Sequence, residues 1–172
     1  MALNKDANCM ELEPEQAFRR AMSAFATGVT VVSAARGGGG LSGITVNSLT
    51  SVSLKPRLLL WCLGDQSERY DTFAEADLWG VTVLGADDEA LARRFARAET
   101  ESLSAHEVEM FSAAPVLRGG VAHFACRTHD RRIAGDHLII LGEVMDFRAA
   151  PGAALTFYRG QYGRIDTPRS ND

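Results

Sequence analysis

The chain has 172 residues, 46% of them hydrophobic and 23% charged, enough for one domain whose core needs neither disulfide nor metal to hold it. Eighteen basic against 22 acidic residues leave a formal charge of -4, without the basic excess that nucleic-acid binding uses. No apolar run approaches the roughly 20 residues of a membrane span, and the polar, acidic stretch from Met1 to Glu15 does not read as a signal peptide. The expectation is a cytoplasmic protein with neither nucleic acid nor membrane as partner.

Residues 1–13 read as a flexible arm, 14–165 as the folded domain and 166–172 as a flexible tail. A helix is expected from Pro14, with Ala17, Phe18, Ala21, Met22 and Phe25 on one face at helical spacing. Proline suits its first turn, and Gly28 lies just past its end. Residues 29–33 are rich in β-branched side chains and predict a strand. The run Gly37-Gly38-Gly39-Gly40 then predicts a hairpin loop, with a return strand over 41–46. A polar stretch, 47–53, is closed by Lys55-Pro56 and followed by an apolar strand over 58–63. A short helix is expected over 67–76, a strand over 79–84, and an amphipathic helix over 87–98. That helix is acidic in its first turn and carries Arg93, Arg94 and Arg97 towards its end, as the helix dipole prefers.

Residues 99–120 read as an irregular polar loop with helical fragments. Strands over 121–127, 137–144 and 155–158 complete the chain. About seven strands and three helices, without regular alternation, predict a mainly β fold: an antiparallel sheet closed into a barrel, with helices packed outside.

Four groups of residues carry candidate chemistry. Cys9, Cys62 and Cys126 are too few and too scattered for a disulfide framework or a paired-cysteine metal site, and read as free thiols. The segments Thr45-Val46-Asn47-Ser48 and Ser51-Val52-Ser53 bring short hydroxyls, an amide and successive backbone N–H groups together. Such a set suits phosphate oxygens or the edge of a polar heterocycle, and equally a turn that caps its own backbone. No phosphate-binding glycine motif accompanies it.

Gly135-Asp136-His137 delivers an imidazole to a strand entry, as a polar or proton-donating group at a pocket mouth or as a surface histidine at a hairpin end. The four histidines have no metal-ligand spacing, and no nucleophile elbow supports serine hydrolysis. Finally, Tyr158-Arg159-Gly160-Gln161-Tyr162-Gly163 offers aromatic rings that either wall a flat ligand or pack on the barrel.

Taken in order, Phe25-Ala26-Thr27-Gly28-Val29-Thr30-Val31-Val32, Gly43-Ile44-Thr45-Val46-Asn47-Ser48, Ser51-Val52-Ser53-Leu54-Lys55-Pro56, Gly80-Val81-Thr82-Val83-Leu84, Phe95-Ala96, Ala114-Pro115-Val116-Leu117, Gly135-Asp136-His137 and Tyr158-Arg159-Gly160-Gln161-Tyr162 resemble the short-chain flavin reductases that serve two-component flavin-dependent monooxygenases. Together these segments span nearly the whole chain. The resemblance implies an FMN-binding split β-barrel of Greek-key type with flanking helices, a homodimer, and NAD(P)H:flavin oxidoreductase activity. FMN or FAD would be the flavin, NADH or NADPH the electron donor, and a monooxygenase component the partner.

It further implies flavin-binding roles for Thr45, Val46, Asn47, Ser48, Ser51, Val52 and Ser53, and contacts to the flavin or its phosphate from Cys62, Leu63 and Ser67. His137 would lie on the nicotinamide side, and Tyr162 would be the aromatic of the last segment. Three positions depart from the family pattern: Leu49 stands where Phe is frequent, Pro56-Arg57 replaces a doubled proline, and Thr82 occupies a position commonly Asn. The competing readings are a split-barrel flavoprotein that keeps FMN as an oxidase, and a non-catalytic flavin-binding protein.

Overall fold

The computed structural model describes residues 13–97 and 103–166, so most of the expected arm and tail, and Cys9, lie outside the described residues. Among the described residues three helices, α1 (Pro14–Met22), α2 (Tyr70–Glu75) and α3 (Glu89–Ala96), accompany twelve strands. Seven strands form the main antiparallel sheet: β2 (Thr30–Ala35), β3 (Leu41–Val46), β4 (Thr50–Leu54), β5 (Arg57–Gly64), β6 (Leu78–Val83), β9 (Ala122–Ala134) and β10 (His137–Ala149). Their order is β3-β2-β6-β9-β10-β5-β4, so the two edge strands are neighbours in sequence, joined by residues 47–49.

The sheet curls because one face is strongly apolar and must leave water. On β5, alternate residues Leu59, Trp61 and Leu63 point inward, where they meet Val32, Val81, Leu138 and Ile140. Phe73 of α2 closes one end, edge-on to Trp61 at 5.5 Å, and Trp79 lies 6.1 Å from Trp61. Gly142 is required here, since a Cβ on it would lie 2.4 Å from the Trp79 ring.

At the open seam a side chain continues the ladder. Thr50 pairs with Leu60 and Ser51 with Leu59, a register whose next step would set Ser48 opposite Cys62. The backbone has already turned away there, and the Ser48 hydroxyl accepts the Cys62 N–H at 3.0 Å instead. The antiparallel split barrel expected from the sequence is the observed architecture.

A second core lies on the outer side of β2 and β6, where Val29, Val31 and Leu84 meet Phe95 of α3 with Leu103, Val108, Leu117 and Leu155. Part of its cover differs from the sequence expectation. Within the stretch predicted as irregular loop, β7 (Val108–Phe111) and β8 (Ala114–Leu117) form a hairpin, and all four residues of β8 are buried. The tip holds Ser112 and Ala113 at φ 44° and 69°, a turn geometry that usually announces itself with Asn or Gly.

Pro115 crosses directly over Gly80, where a Cβ would fall 1.9 Å from its carbonyl oxygen. Ser33 Oγ donates to that same oxygen at 2.7 Å. Thr82, the position commonly Asn in the family, is fully buried and its hydroxyl accepts the Leu117 N–H at 2.9 Å. It clamps the hairpin.

A three-stranded sheet of β1 (Thr27–Gly28), β11 (Ala154–Tyr158) and β12 (Gln161–Ile165) completes the fold. β1 and β12, like β4, have no counterpart among the strands that the sequence predicts. The predicted helical face of residues 17–25 is also revised: α1 stops at Met22 and buries no residue, and Phe18 and Phe25 are 68% and 70% exposed.

Candidate active site

A cleft of about 740 Å³ opens between the α1 segment and the 47–50 loop. One wall comes from α1 and the turn after it, through Arg19, Met22 and Phe25. Thr27 and Thr30 line it from β1 and β2, Asn47 and Ser48 from the loop, and Phe157 from β11. Asn47 and Phe157 also line a smaller cavity of about 150 Å³ with Thr45, Val46 and Tyr162, so the two are contiguous. On the other side of Leu49 and Thr50, Ser51 and Ser53 border a groove of about 310 Å³ that is apolar through Leu54, Phe124 and Phe147.

The predicted residues fall into distinct positions. Thr45 donates its hydroxyl to the Ala92 carbonyl at 2.8 Å, tying β3 to α3. Val46 is nearly buried. Asn47 is exposed, and among the described residues its amide has no hydrogen-bond partner. Val52 is half-exposed, while Ser53 Oγ accepts the Lys55 N–H at 3.2 Å within its own turn. Cys62 lies on the outer face of β5, and partial burial pushes its thiol up despite the Ser48 hydrogen bond.

Leu63 is fully buried in the barrel, which leaves only its backbone for a ligand. Ser67 Oγ accepts the Arg69 N–H at 3.3 Å at the start of α2. Tyr162 packs on Phe157 with ring centroids 5.1 Å apart, beneath the Arg93 guanidinium 4.8 Å from its own centroid. Burial raises its phenol above the ordinary value.

His137 begins β10 directly opposite Gly64. Its Nδ1 lies 2.8 Å from Asp136 Oδ1, which fixes the ring and leaves Nε2 over the end of β5, 3.7 Å from the point a Cβ on Gly64 would occupy. That bond holds the Asp136 carboxyl below its ordinary value. Two strand spacings across the sheet and two residues along β5 separate Ser48 from His137, roughly 12 Å.

The sequence reading assigned no role to Arg19, Thr27, Thr30 or Phe157. Thr27 did carry a signal, in the Phe25-Ala26-Thr27-Gly28 segment, and its hydroxyl is buried without a partner. Leaving such a group unsatisfied costs about 1–3 kcal/mol. The exposed Asn47 amide, the neighbouring Ser48 and the apolar walls of the cleft together suit a flat heterocycle with polar edges. The described residues contain no cluster of three or more His, Cys, Asp or Glu side chains that could hold a metal.

The family model described as "Flavin reductase like domain" matches residues 22–166. The chain belongs to that family. It is 41% identical over 154 residues to an FMN reductase (NADH), SmoA, of Agrobacterium fabrum, covering 89% of this chain and 87% of that one. It is 36% identical to the reductase component of the flavin-dependent trigonelline monooxygenase of Acinetobacter baylyi, across 84% of this chain and 47% of that longer protein. Among solved structures, the NADH:FAD oxidoreductase SgcE6 of Streptomyces globisporus, in complex with NAD and FAD fragments, superposes with a TM-score of 0.83. The two share 32% identity over 99% of this chain and all of that one. Family membership and the cleft thus agree on the same ligand chemistry.

Proposed function

We propose that the protein is an NAD(P)H:flavin oxidoreductase that reduces FMN or FAD and delivers the reduced flavin to a monooxygenase component. The observation that carries this reading is the cleft itself, with the unpartnered Asn47 amide beside Ser48 and apolar walls in a chain of this family. A bound flavin supplies the hydride acceptor; the chain supplies binding, orientation and a dry surface. Asn47 and Ser48 offer polar contacts to the edge of the flavin ring, and Val46 and Phe157 support its flat face. Thr45, Val52, Cys62, Leu63, Ser67 and Tyr162 extend the flavin surface, Leu63 through its backbone, whereas Ser51 and Ser53 border the separate apolar groove.

His137, held by Asp136, orients the nicotinamide. No side chain need act as a nucleophile, because hydride transfer demands ring stacking rather than covalent help. NADH is the donor favoured by the relationship to SmoA, named for that donor, and the partnership with an oxygenase by the trigonelline reductase component. The exposed Phe18, Met22 and Phe25 favour a homodimer in which a second copy covers part of this apolar surface.

The deciding experiment is anaerobic oxidation of NADH and NADPH by the purified protein with FMN or FAD added in turn. Concerted loss of nicotinamide and flavin absorbance is expected. A flavin that binds but is not reduced by either donor would refute the reductase reading. His137→Ala should raise the KM for NADH or lower kcat, and unchanged kinetics would remove His137 from the site.

A further inference from the structure

One helix holds both walls of the small cavity. Thr45, Val46 and Asn47 line it from the end of β3, and Phe157 and Tyr162 line it from β11 and β12. Ala92 and Arg93, neighbours on α3, reach these two sides separately. The Ala92 carbonyl accepts the Thr45 hydroxyl at 2.8 Å. The Arg93 guanidinium lies over the Tyr162 ring, 4.8 Å from its centroid, and is itself held by Glu89 at 2.8 Å, one turn earlier in the helix.

The contact continues into the cleft. Tyr162 and Phe157 stand opposite each other in the β11–β12 ladder, with ring centroids 5.1 Å apart. Phe157 lines the large cleft as well as the small cavity, and so does Asn47. Glu89, Arg93, Tyr162 and Phe157 therefore form one row of contacts from the surface of α3 to the wall of the cleft. The Arg93 side chain is 57% exposed, so its ion pair with Glu89 contributes little by itself. Its place over Tyr162 has a different consequence. A cation is attracted to the face of a ring and not to its edge, which fixes the tilt of Tyr162 and, through it, the seat of Phe157.

We propose that Arg93 is a positioning residue for the flavin: acting through Tyr162, it sets the width of the small cavity, which takes one end of the flat flavin ring. The proposal rests on the reductase reading and adds α3, to which that reading gives no part.

Fluorescence titration of the flavin-free protein with lumiflavin, riboflavin and FMN tests it. Arg93→Ala should bind all three about two- to fivefold more weakly, the range of one exposed cation–π contact. The factor should be the same for each, because the ring is displaced and the phosphate is not. In a Tyr162→Leu background, Arg93→Ala should cause no further loss, since its effect runs through that ring. Arg93→Lys keeps a cation without the planar stack and should fall between wild type and Arg93→Ala. Thermal midpoints of the Arg93 variants should stay near wild type, as expected for an exposed side chain.

A loss confined to FMN would make Arg93 a ligand of the phosphate and overturn the proposal. An equal loss with and without the Tyr162 ring would overturn it too, as would unchanged affinity of Arg93→Ala for all three flavins. Should Tyr162→Leu not fold, the comparison of lumiflavin with FMN and the Arg93→Lys variant still decide. In each of these cases a wild-type protein that reduces flavin with NADH leaves the reductase reading standing. A wild-type protein that binds no flavin would sink that reading and the proposal with it.

Discussion

Ser48→Ala isolates the seam of the barrel. The Cys62 N–H now donates to Ser48 Oγ at 3.0 Å, at the register step where β4 has no backbone acceptor left to offer. Removing the hydroxyl strands that N–H. Full burial would cost up to about 3 kcal/mol and an open site about 1 kcal/mol; Cys62 is half-buried, so about 1–2 kcal/mol is expected.

For a chain of this size each kcal/mol lowers the thermal midpoint by about 2–4 °C, a total of roughly 2–8 °C. Urea denaturation of the flavin-free protein should show a lower midpoint at unchanged slope. Ser48→Thr, which keeps the hydroxyl, should stay nearer wild type. Because Ser48 also lines the cleft, flavin titrated by fluorescence quenching should bind Ser48→Ala about 2- to 10-fold more weakly. A variant as stable as wild type would refute the argument that this hydroxyl completes the ladder.

The clamp on the β7–β8 hairpin is tested by Thr82→Val, which keeps the shape and removes the acceptor of the Leu117 N–H. A loss of about 1–3 kcal/mol in urea is expected, with kcat/KM per folded molecule preserved because Thr82 does not line the cleft; impaired flavin binding at unchanged stability would contradict it. Glu107 accepts from Arg94 and from Ser104 N and Oγ at 3.0 and 2.7 Å, and these bonds, that of Arg94 above all, take its carboxyl from the ordinary 4.5 down to about 2. Since the folded value is the lower one, its stabilisation is complete above about 4.5 and is lost as pH falls towards 2. Glu107→Gln should therefore be less stable than wild type at neutral pH, and the difference should shrink in urea midpoints taken through that acid window. A gap that stays constant with pH would show that the carboxylate charge is not the cause.

Local pattern was enough to read the central strands, because the continuous apolar run over residues 58–63 marks a buried strand; that Leu59, Trp61 and Leu63 rather than Leu58, Leu60 and Cys62 turn inward was decided by the sheet. The helix dipole signals of α3 and the glycine loop between β2 and β3 are local in the same way. The β7–β8 hairpin escaped because its turn holds Ser112 and Ala113 at positive φ without the residues that usually mark such a turn, and because β8 is buried through tertiary contact with Gly80, Ser33 and Thr82.

The candidate site divides along the same line. Residues 45–53 were recognisable as one polar segment, since their chemistry is contiguous in the chain. Which of them face the cleft was decided by the sheet. The turn at the seam leaves Asn47 exposed, turns Ser48 onto Cys62, and sends Ser51 and Ser53 towards a different groove. Arg19, Thr27 and Phe157 join Asn47 only because β1 pairs with β11 and brings the α1 segment across the end of the barrel. Backbone periodicity is set by neighbours a few residues apart and is written into the sequence; a cleft assembled from segments more than a hundred residues apart depends on strand order, which no single stretch encodes.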